Sequence, residues 1–262
     1  MVYIDHFDEL ALAEQIAQRR GIEPGVAIRL NMTTDGLPAW SRFGFNLDNG
    51  QARDAVRRLV AGGHLRLTGL HCHLGTFIQT PEVYRQAAEK VARFANELKR
   101  DFGVVLEFVD LGGGIASRNT LHAQYLPGDQ VTPPFSRYAE ALAEGLGVLD
   151  YTADEMPTLV LETGRALVDE AGYLISTVLA NKRLPDSRRA LVVDAGVNIL
   201  FTSFWYKHDL VPAQEFSGMP DPTIVYGPLC MNIDVLDEGT LLPPLRRGTR
   251  LIFSPVGAYN VT

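Results

Sequence analysis

The sequence predicts an α/β protein in two parts, and three observations carry that reading. Over the first two-thirds of the chain, short apolar runs alternate with amphipathic helical stretches, the pattern of parallel β/α units. From about Ala171 the texture changes: residues 173–178, 190–194 and 250–253 read as strands separated by turns, with no convincing helix between them. A second, mostly antiparallel β domain is expected there. The composition, 46% hydrophobic and 21% charged over 262 residues, supplies enough apolar mass for a sizeable core in one large domain or two smaller ones.

Each element follows from local pattern. Residues 2–4 form a strand stub, followed by a helix from Leu10 to Arg19 and a strand over 26–30. A helix from about Gly50 to Ala61 leads to a strand over 65–73, where alternation puts His71 and His73 on one face and Cys72 on the other. The next helix is the clearest. Thr80 is the expected N-cap with Pro81 at the first helical position, and Tyr84, Ala87, Ala88, Val91, Phe94, Ala95 and Leu98 recur on one face. Gly103 ends it, and a buried strand over 104–111 runs into Gly112-Gly113-Gly114. After a loop containing Pro127, Pro133 and Pro134 come a helix from Tyr138 to Leu146 and a strand over 158–162, which makes five β/α units. No internal repeat or low-complexity tract interrupts the pattern.

Charge and cysteine usage narrow the function classes. Lys+Arg number 24 against 31 Asp+Glu, a net charge of −7 without any basic block, which argues against a nucleic-acid or anionic-membrane surface. No apolar stretch is long enough to span a bilayer, and the first residues lack the basic and apolar regions of a signal peptide. Cys72 and Cys230 stand far apart without metal spacing, so a reduced, cytoplasmic setting is expected.

The chemistry concentrates at strand ends. Three consecutive glycines after a strand let backbone N–H groups approach an anion without side-chain obstruction, although a tight strand-to-loop turn needs glycines as well. His71 and His73 invite a metal reading, but three or four convergent ligands are required and no further His/Cys cluster is present, so no metal is expected. In His73-Leu74-Gly75-Thr76 an imidazole is followed by a glycine and a hydroxyl, a combination suited to a planar ring beside a phosphate. Glu162-Thr163-Gly164-Arg165 places a carboxylate at a strand end and a guanidinium just beyond it. Such a carboxylate can keep a pyridine nitrogen protonated and the arginine can fork onto a phosphate; a structural Glu–Arg ion pair is the rival reading.

These motifs, followed by Val193-Asp194-Ala195-Gly196, Gly227-Pro228-Leu229-Cys230 and Gly257-Ala258-Tyr259, occur in the order seen in the fold type III pyridoxal-phosphate-dependent decarboxylases, the family of the diaminopimelate, ornithine and arginine decarboxylases. Ser41-Arg42-Phe43-Gly44 and the strand ending in Arg29 also resemble it, so the resemblance covers essentially the whole chain. It implies a partial (β/α)8 TIM-type barrel, about the last five β/α units, over 1–170, and an incomplete C-terminal β domain over 171–262. It further implies pyridoxal 5'-phosphate as cofactor, decarboxylation of a small amino acid to an amine and CO2, and a homodimer that builds each site from two subunits.

Position by position, the resemblance stacks His73 on the cofactor ring, sets Thr76, Gly112, Gly113, Gly114 and Tyr259 around its phosphate, and pairs Glu162 with the pyridine nitrogen. Arg165 would lie near the phosphate or the substrate carboxylate, Tyr206 and Lys207 on the substrate side, and Cys230, reaching in from the partner subunit, would return the proton after CO2 leaves. The family's Schiff-base lysine has no counterpart: Lys90 and Lys99 belong to the amphipathic helix, Lys182 to a polar turn, and Lys207 to the substrate side. Five barrel strands out of eight, and a chain that stops just after Tyr259, lead to the expectation that both ends of a family member are absent, leaving an open half-barrel with exposed apolar edges and poor solubility. A catalytically inactive regulatory paralogue fits the missing lysine equally well, whereas a barrel-only binding protein would lack the second domain and Cys230.

Departures bear on the substrate. Met231 follows Cys230 where the family usually has an acid, Thr202 stands where diaminopimelate decarboxylases carry an arginine, and Lys207 replaces the aspartate of ornithine-type enzymes. A substrate with an anionic distal end is expected, unless Lys207 is simply solvated.

Overall fold

The computed structural model describes residues 2–38 and 40–260. In chain order its elements are β1 (Val2–Ile4), α1 (Phe7–Arg20), β2 (Gly25–Asn31), β3 (Phe45–Asn46), α2 (Gln51–Gly62), β4 (Arg66–Cys72), α3 (Pro81–Phe102), β5 (Phe108–Asp110), β6 (Thr120–Leu121), α4 (Gly128–Val131), α5 (Phe135–Leu146), β7 (Thr158–Val160), α6 (Arg165–Val168), β8 (Leu174–Arg183), β9 (Arg189–Val193), β10 (Tyr206–Lys207), β11 (Asp209–Pro212), β12 (Asp221–Tyr226), β13 (Val235–Leu242) and β14 (Arg250–Ser254). They fall into two packed units, Met1–Ile115 with Pro133–Thr163 and Ala116–Thr132 with Gly164–Thr262. Relative to the division expected at 170/171, residues 116–132 and 164–170 pack with the second unit, where β6 pairs antiparallel with β10.

The first unit is the partial β/α barrel. Its strands pair in the order β1-β2-β4-β5-β7, all parallel, with β3 added to β2. The amphipathic stripe of α3 is buried as the spacing predicts: Tyr84, Ala87, Ala88, Val91, Phe94, Ala95 and Leu98 all face the core. Fully burying side chains such as Val91, Phe94 and Leu98 stabilises the unit by roughly 1.5–3 kcal/mol each. Thr80 holds the N-cap position with extended backbone, but its side chain makes no capping bond; Pro81 and the left-handed Gly103 supply the two ends. Within β4, Gly69 is required because the Phe108 ring of β5 occupies the space of a Cβ. The expected strand over 104–111 shortens to β5, since β4 pairs with it only from Phe108 to Asp110. At the two edges, Val2 of β1 is 54% exposed and Leu159 of β7 is 41% exposed, apolar surface that a closed barrel would cover.

The second unit is built on one sheet in the order β11-β14-β8-β9-β12-β13, antiparallel except where β9 meets β12. Val178, Leu191, Val193, Val225, Leu236, Leu242, Leu251 and Phe253 form its core. Three strands of this sheet escape the sequence reading, and composition explains each: β11 ends on Pro212, β12 has proline as its second residue, and β13 carries Asp237-Glu238-Gly239. Strands β11 and β13 are the sheet's edges, where proline, glycine and charge are tolerated.

Candidate cofactor site

Register across the parallel sheet builds the first cluster. Arg29 of β2 pairs with His71 of β4, and His71 pairs with Asp110 of β5, so three polar side chains stand in one row at the carboxyl ends of the strands. Glu162 follows two residues after the end of β7, with its Oε2 3.7 Å from His71 Nε2. Tyr3 Oη donates to Asp110 Oδ2 at 2.6 Å, Gly112 N donates to Asp110 Oδ1 at 2.9 Å, and the Tyr3 ring lies 4.7 Å from the His71 ring. Arg29 is held by Asp5 at 3.8 Å and packs over Phe43 at 4.6 Å.

Burial and the neighbouring Asp110 carboxylate push the Glu162 carboxyl above the usual range. Burial pushes the His71 imidazole down, despite Asp110, and Arg29 pushes it further. The ligand-type atoms of His71, Asp110 and Glu162 lie within 4.8 Å of one another, a grouping that the sequence conceals because the three residues stand far apart along the chain. Both Asp110 oxygens, however, already accept from Tyr3 and Gly112.

The glycine loop sits beside this row. Gly112 and Gly114 adopt left-handed backbone at φ +66° and +91°, and a Cβ at any of the three glycines would strike the backbone of a neighbouring loop: Cys72 O, Glu162 O or Gly75 O. Left-handed backbone and close approach are what the turn reading requires. Gly112 N–H is engaged by Asp110, and Gly113 N–H donates to His73 Nδ1 at 3.2 Å. That leaves Gly114 as the amide of the three with no internal acceptor among the described residues. Tyr84 Oη on α3 donates to Gly113 O at 2.8 Å, and Tyr138 Oη on α5 donates to Ile78 O at 2.7 Å, so two buried tyrosines pin the loops from behind. His73 is half-buried, its face 5.4 Å from Trp40, and Thr76 is exposed on the same loop. Sequence reasoning missed Tyr3 and Trp40 altogether.

In the second unit, Arg165 is the centre of another cluster. Its guanidinium lies 4.5 Å from the Tyr259 ring and 5.0 Å from the Tyr206 ring, and its Nη1 is 3.6 Å from Asp169 Oδ2. Within its own unit Arg165 has a carboxylate partner in Asp169, four residues on. Asp169 is fully buried and accepts Ser117 Oγ at 2.6 Å, Asn119 Nδ2 at 2.7 Å and Ala258 N at 3.2 Å. Strand alternation directs Tyr206 inward, while Lys207 is exposed and lines an open cavity of about 1100 Å³ with Thr120, His122 and Asp209. The two side chains therefore point to opposite faces of β10. Thr202 is buried against His208 Nε2 and Asn260 Oδ1, both at 3.0 Å, and presents no group to a ligand. Cys230 is an exposed free thiol on a loop tied by Asp234, whose Oδ2 accepts Leu229 N at 2.7 Å and whose Oδ1 accepts Val197 N at 2.8 Å.

Residues 1–169 match the model of the pyridoxal-binding domain of pyridoxal-dependent decarboxylases. The chain belongs to that family. The diaminopimelate decarboxylase of Bacillus subtilis (strain 168) is 29% identical over 273 residues, covering 99% of this chain and 60% of that protein. The corresponding protein of Methanocaldococcus jannaschii is 28% identical over 271 residues, covering 99% of this chain and 59% of the relative. A solved diaminopimelate decarboxylase from Helicobacter pylori, complexed with L-lysine, superposes with a TM-score of 0.81 at 28% identity over 98% of this chain and 62% of that one. The chain thus spans about three-fifths of the length of the relatives it matches. No helix among the described residues is long and apolar enough to cross a membrane.

Proposed function

We propose that this chain is the cofactor- and substrate-binding portion of a pyridoxal-phosphate-dependent amino-acid decarboxylase whose substrate has an anionic distal end. One observation carries the reading: Glu162, at the mouth of the parallel sheet, is a half-exposed carboxyl beside a second carboxylate, and its pKa is raised because burial and Asp110 oppose its charge. Such a group is stabilised by an arriving cation, and a protonated pyridine nitrogen is one. When bound, pyridoxal phosphate supplies the electron sink that lets a Cα carboxylate depart as CO2.

The chain's own residues do the rest. His73, its Nδ1 occupied by Gly113 N–H, is fixed in the tautomer with Nε2 protonated and presents its ring face to a planar ligand. The Gly114 amide is free to serve a phosphate. Arg165, with its charge flanked by Tyr206 and Tyr259, takes a phosphate or a carboxylate. Cys230, exposed and on a loop held by Asp234, returns the proton in a homodimer where it serves the partner's site. Both cysteines are free, which suits a reducing cytoplasm. Lys207 attracts the distal anion, and an interaction across 4 Å at an effective dielectric near 20 is worth about 4 kcal/mol before solvent screening.

A catalytically silent reading also has an observation in its favour. The two lysines of the first unit are already committed: Lys90 Nζ to Asp48 at 2.6 Å and Lys99 Nζ to Glu155 at 2.7 Å. The test titrates the purified chain with pyridoxal phosphate and then adds borohydride. Saturable, non-covalent uptake with no lysine modified is expected; failure to bind, or reduction onto a lysine of this chain, overturns the reading. In an enzyme restored to the relatives' length, dicarboxylic amino acids should turn over faster than ornithine. Lys207→Ala should erase that preference, and an unchanged ornithine preference would end the substrate assignment.

A further inference from the structure

One buried side chain beside Glu162 has no task in the proposed chemistry. His71 is 5% exposed, and neither of its ring nitrogens has a hydrogen-bond partner among the described residues. A polar side chain so deeply placed is normally satisfied. Apart from Glu162, the groups around it are taken up by other partners or have no lone pair to offer. Tyr3 of β1 donates to Asp110, while Asp5, just after β1, accepts Gly44 N and pairs with Arg29. Arg29 of β2 has no lone pair to offer, and Asp110 of β5 is taken by Tyr3 and Gly112. His73, beyond the end of β4, is taken by Gly113. What remains is Glu162 after β7, which also meets the Asp110 carboxyl and whose Oε2 stands 3.7 Å from His71 Nε2.

We propose that His71 is a positioning residue for Glu162: a neutral imidazole with its proton on Nε2 donates to Oε2 and aims the other carboxylate oxygen at the ring nitrogen of the cofactor. The inference rests on the reading that Glu162 serves pyridoxal phosphate. A separation of 3.7 Å is too long for a hydrogen bond, but such contacts tighten when a ligand completes the site. The neutral form matters for a physical reason. A cationic imidazole would itself neutralise Glu162 and compete with the pyridinium, whereas a neutral donor orients the carboxylate and leaves its charge to the ligand. Burial and the Arg29 guanidinium both oppose a second proton on His71. The carboxylate of Asp110 faces it from the other side, with Asp5 further along the same mouth.

The experiment labels the full chain with 15N-histidine and follows the His71 ring nitrogens at neutral pH, with and without pyridoxal phosphate, in the wild type and in Glu162→Ala. A neutral ring protonated on Nε2 is expected. Its Nε2 resonance should shift in the cofactor-free Glu162→Ala chain, and it should respond to pyridoxal phosphate only when Glu162 is present. In parallel, His71→Phe should weaken pyridoxal phosphate binding about tenfold, the effect of one lost hydrogen bond to a charged group. His71→Gln should recover part of that loss, and His71→Phe should cost nothing further in the Glu162→Ala background. A ring protonated on Nδ1, a ring indifferent to Glu162→Ala, or equal weakening in both backgrounds overturns the proposal. Should the wild-type chain take up no pyridoxal phosphate, the functional reading fails, while the cofactor-free comparison still decides the pairing.

Discussion

The two units each bury negative charge at a polar cluster, but they treat it in opposite ways. Asp169 of the β unit is saturated: Ser117, Asn119, the Ala258 amide and Arg165 converge on its two oxygens. In the parallel-sheet unit, Asp110 accepts from Tyr3 Oη and the Gly112 amide, and Glu162 lies against Asp110 itself and the His71 imidazole. A carboxylate with its full complement of donors holds structure. A carboxylate pair left short of positive charge waits for a cation, and that imbalance is what a cofactor site needs before the cofactor arrives.

The largest test of this contrast is Asp169→Ala. Removing a fully buried carboxylate strips Arg165, Ser117 and Asn119 of their acceptor, so urea denaturation should show a loss of about 3–5 kcal/mol, and a loss under about 1 kcal/mol would break the contrast. Next comes His208, buried in the same unit between Thr202 Oγ1 and Pro255 O, with burial pushing its pKa from 6.5 down to about 4. A depressed imidazole contributes stability that is complete above the unfolded value and is lost as pH falls. The wild type should therefore lose up to about 2–3 kcal/mol between pH 6.5 and 4, and His208→Asn should flatten that slope in a pH series of thermal melts.

The smallest effect has the opposite sign. Glu162 has a raised pKa, so its contribution to stability is present below the ordinary carboxyl value and is lost as pH rises through the folded value. Glu162→Gln should consequently match the wild type at low pH and exceed it slightly above about pH 4.5, by no more than about 0.5 kcal/mol because the side chain is 47% exposed. A destabilised Glu162→Gln at neutral pH would mean that the carboxylate already has its counter-charge, and the two clusters would be alike.

Local pattern made much of the fold legible. Helix α3 is readable because its apolar residues repeat on one face and its ends carry Pro81 and Gly103, signals that lie within a few residues of one another. Strands β11 to β13 are not, because edge strands carry the prolines and acids that mark loops elsewhere. The site divides in the same way. His73, Gly112-Gly113-Gly114, Glu162 and Arg165 stand in compact motifs at strand ends, whereas Tyr3 and Asp169 give no local sign of their partners. Their roles depend on contacts between residues distant in the chain.

What the amino-acid sequence determined by itself was the alternation of β and α, the change of texture near Ala171, and the ordered motifs that tie the chain to the pyridoxal-dependent decarboxylases. Short-range periodicity and turn chemistry are enough for that. Only the tertiary structure decided which charges are neutralised. The register Arg29–His71–Asp110 is set by parallel pairing of strands joined through intervening helices, and the donors of Asp169 arrive from residues 116–132 and from Ala258. Electrostatic compensation depends on distances of a few ångströms between residues that the sequence keeps far apart, so it appears only when the chain is folded.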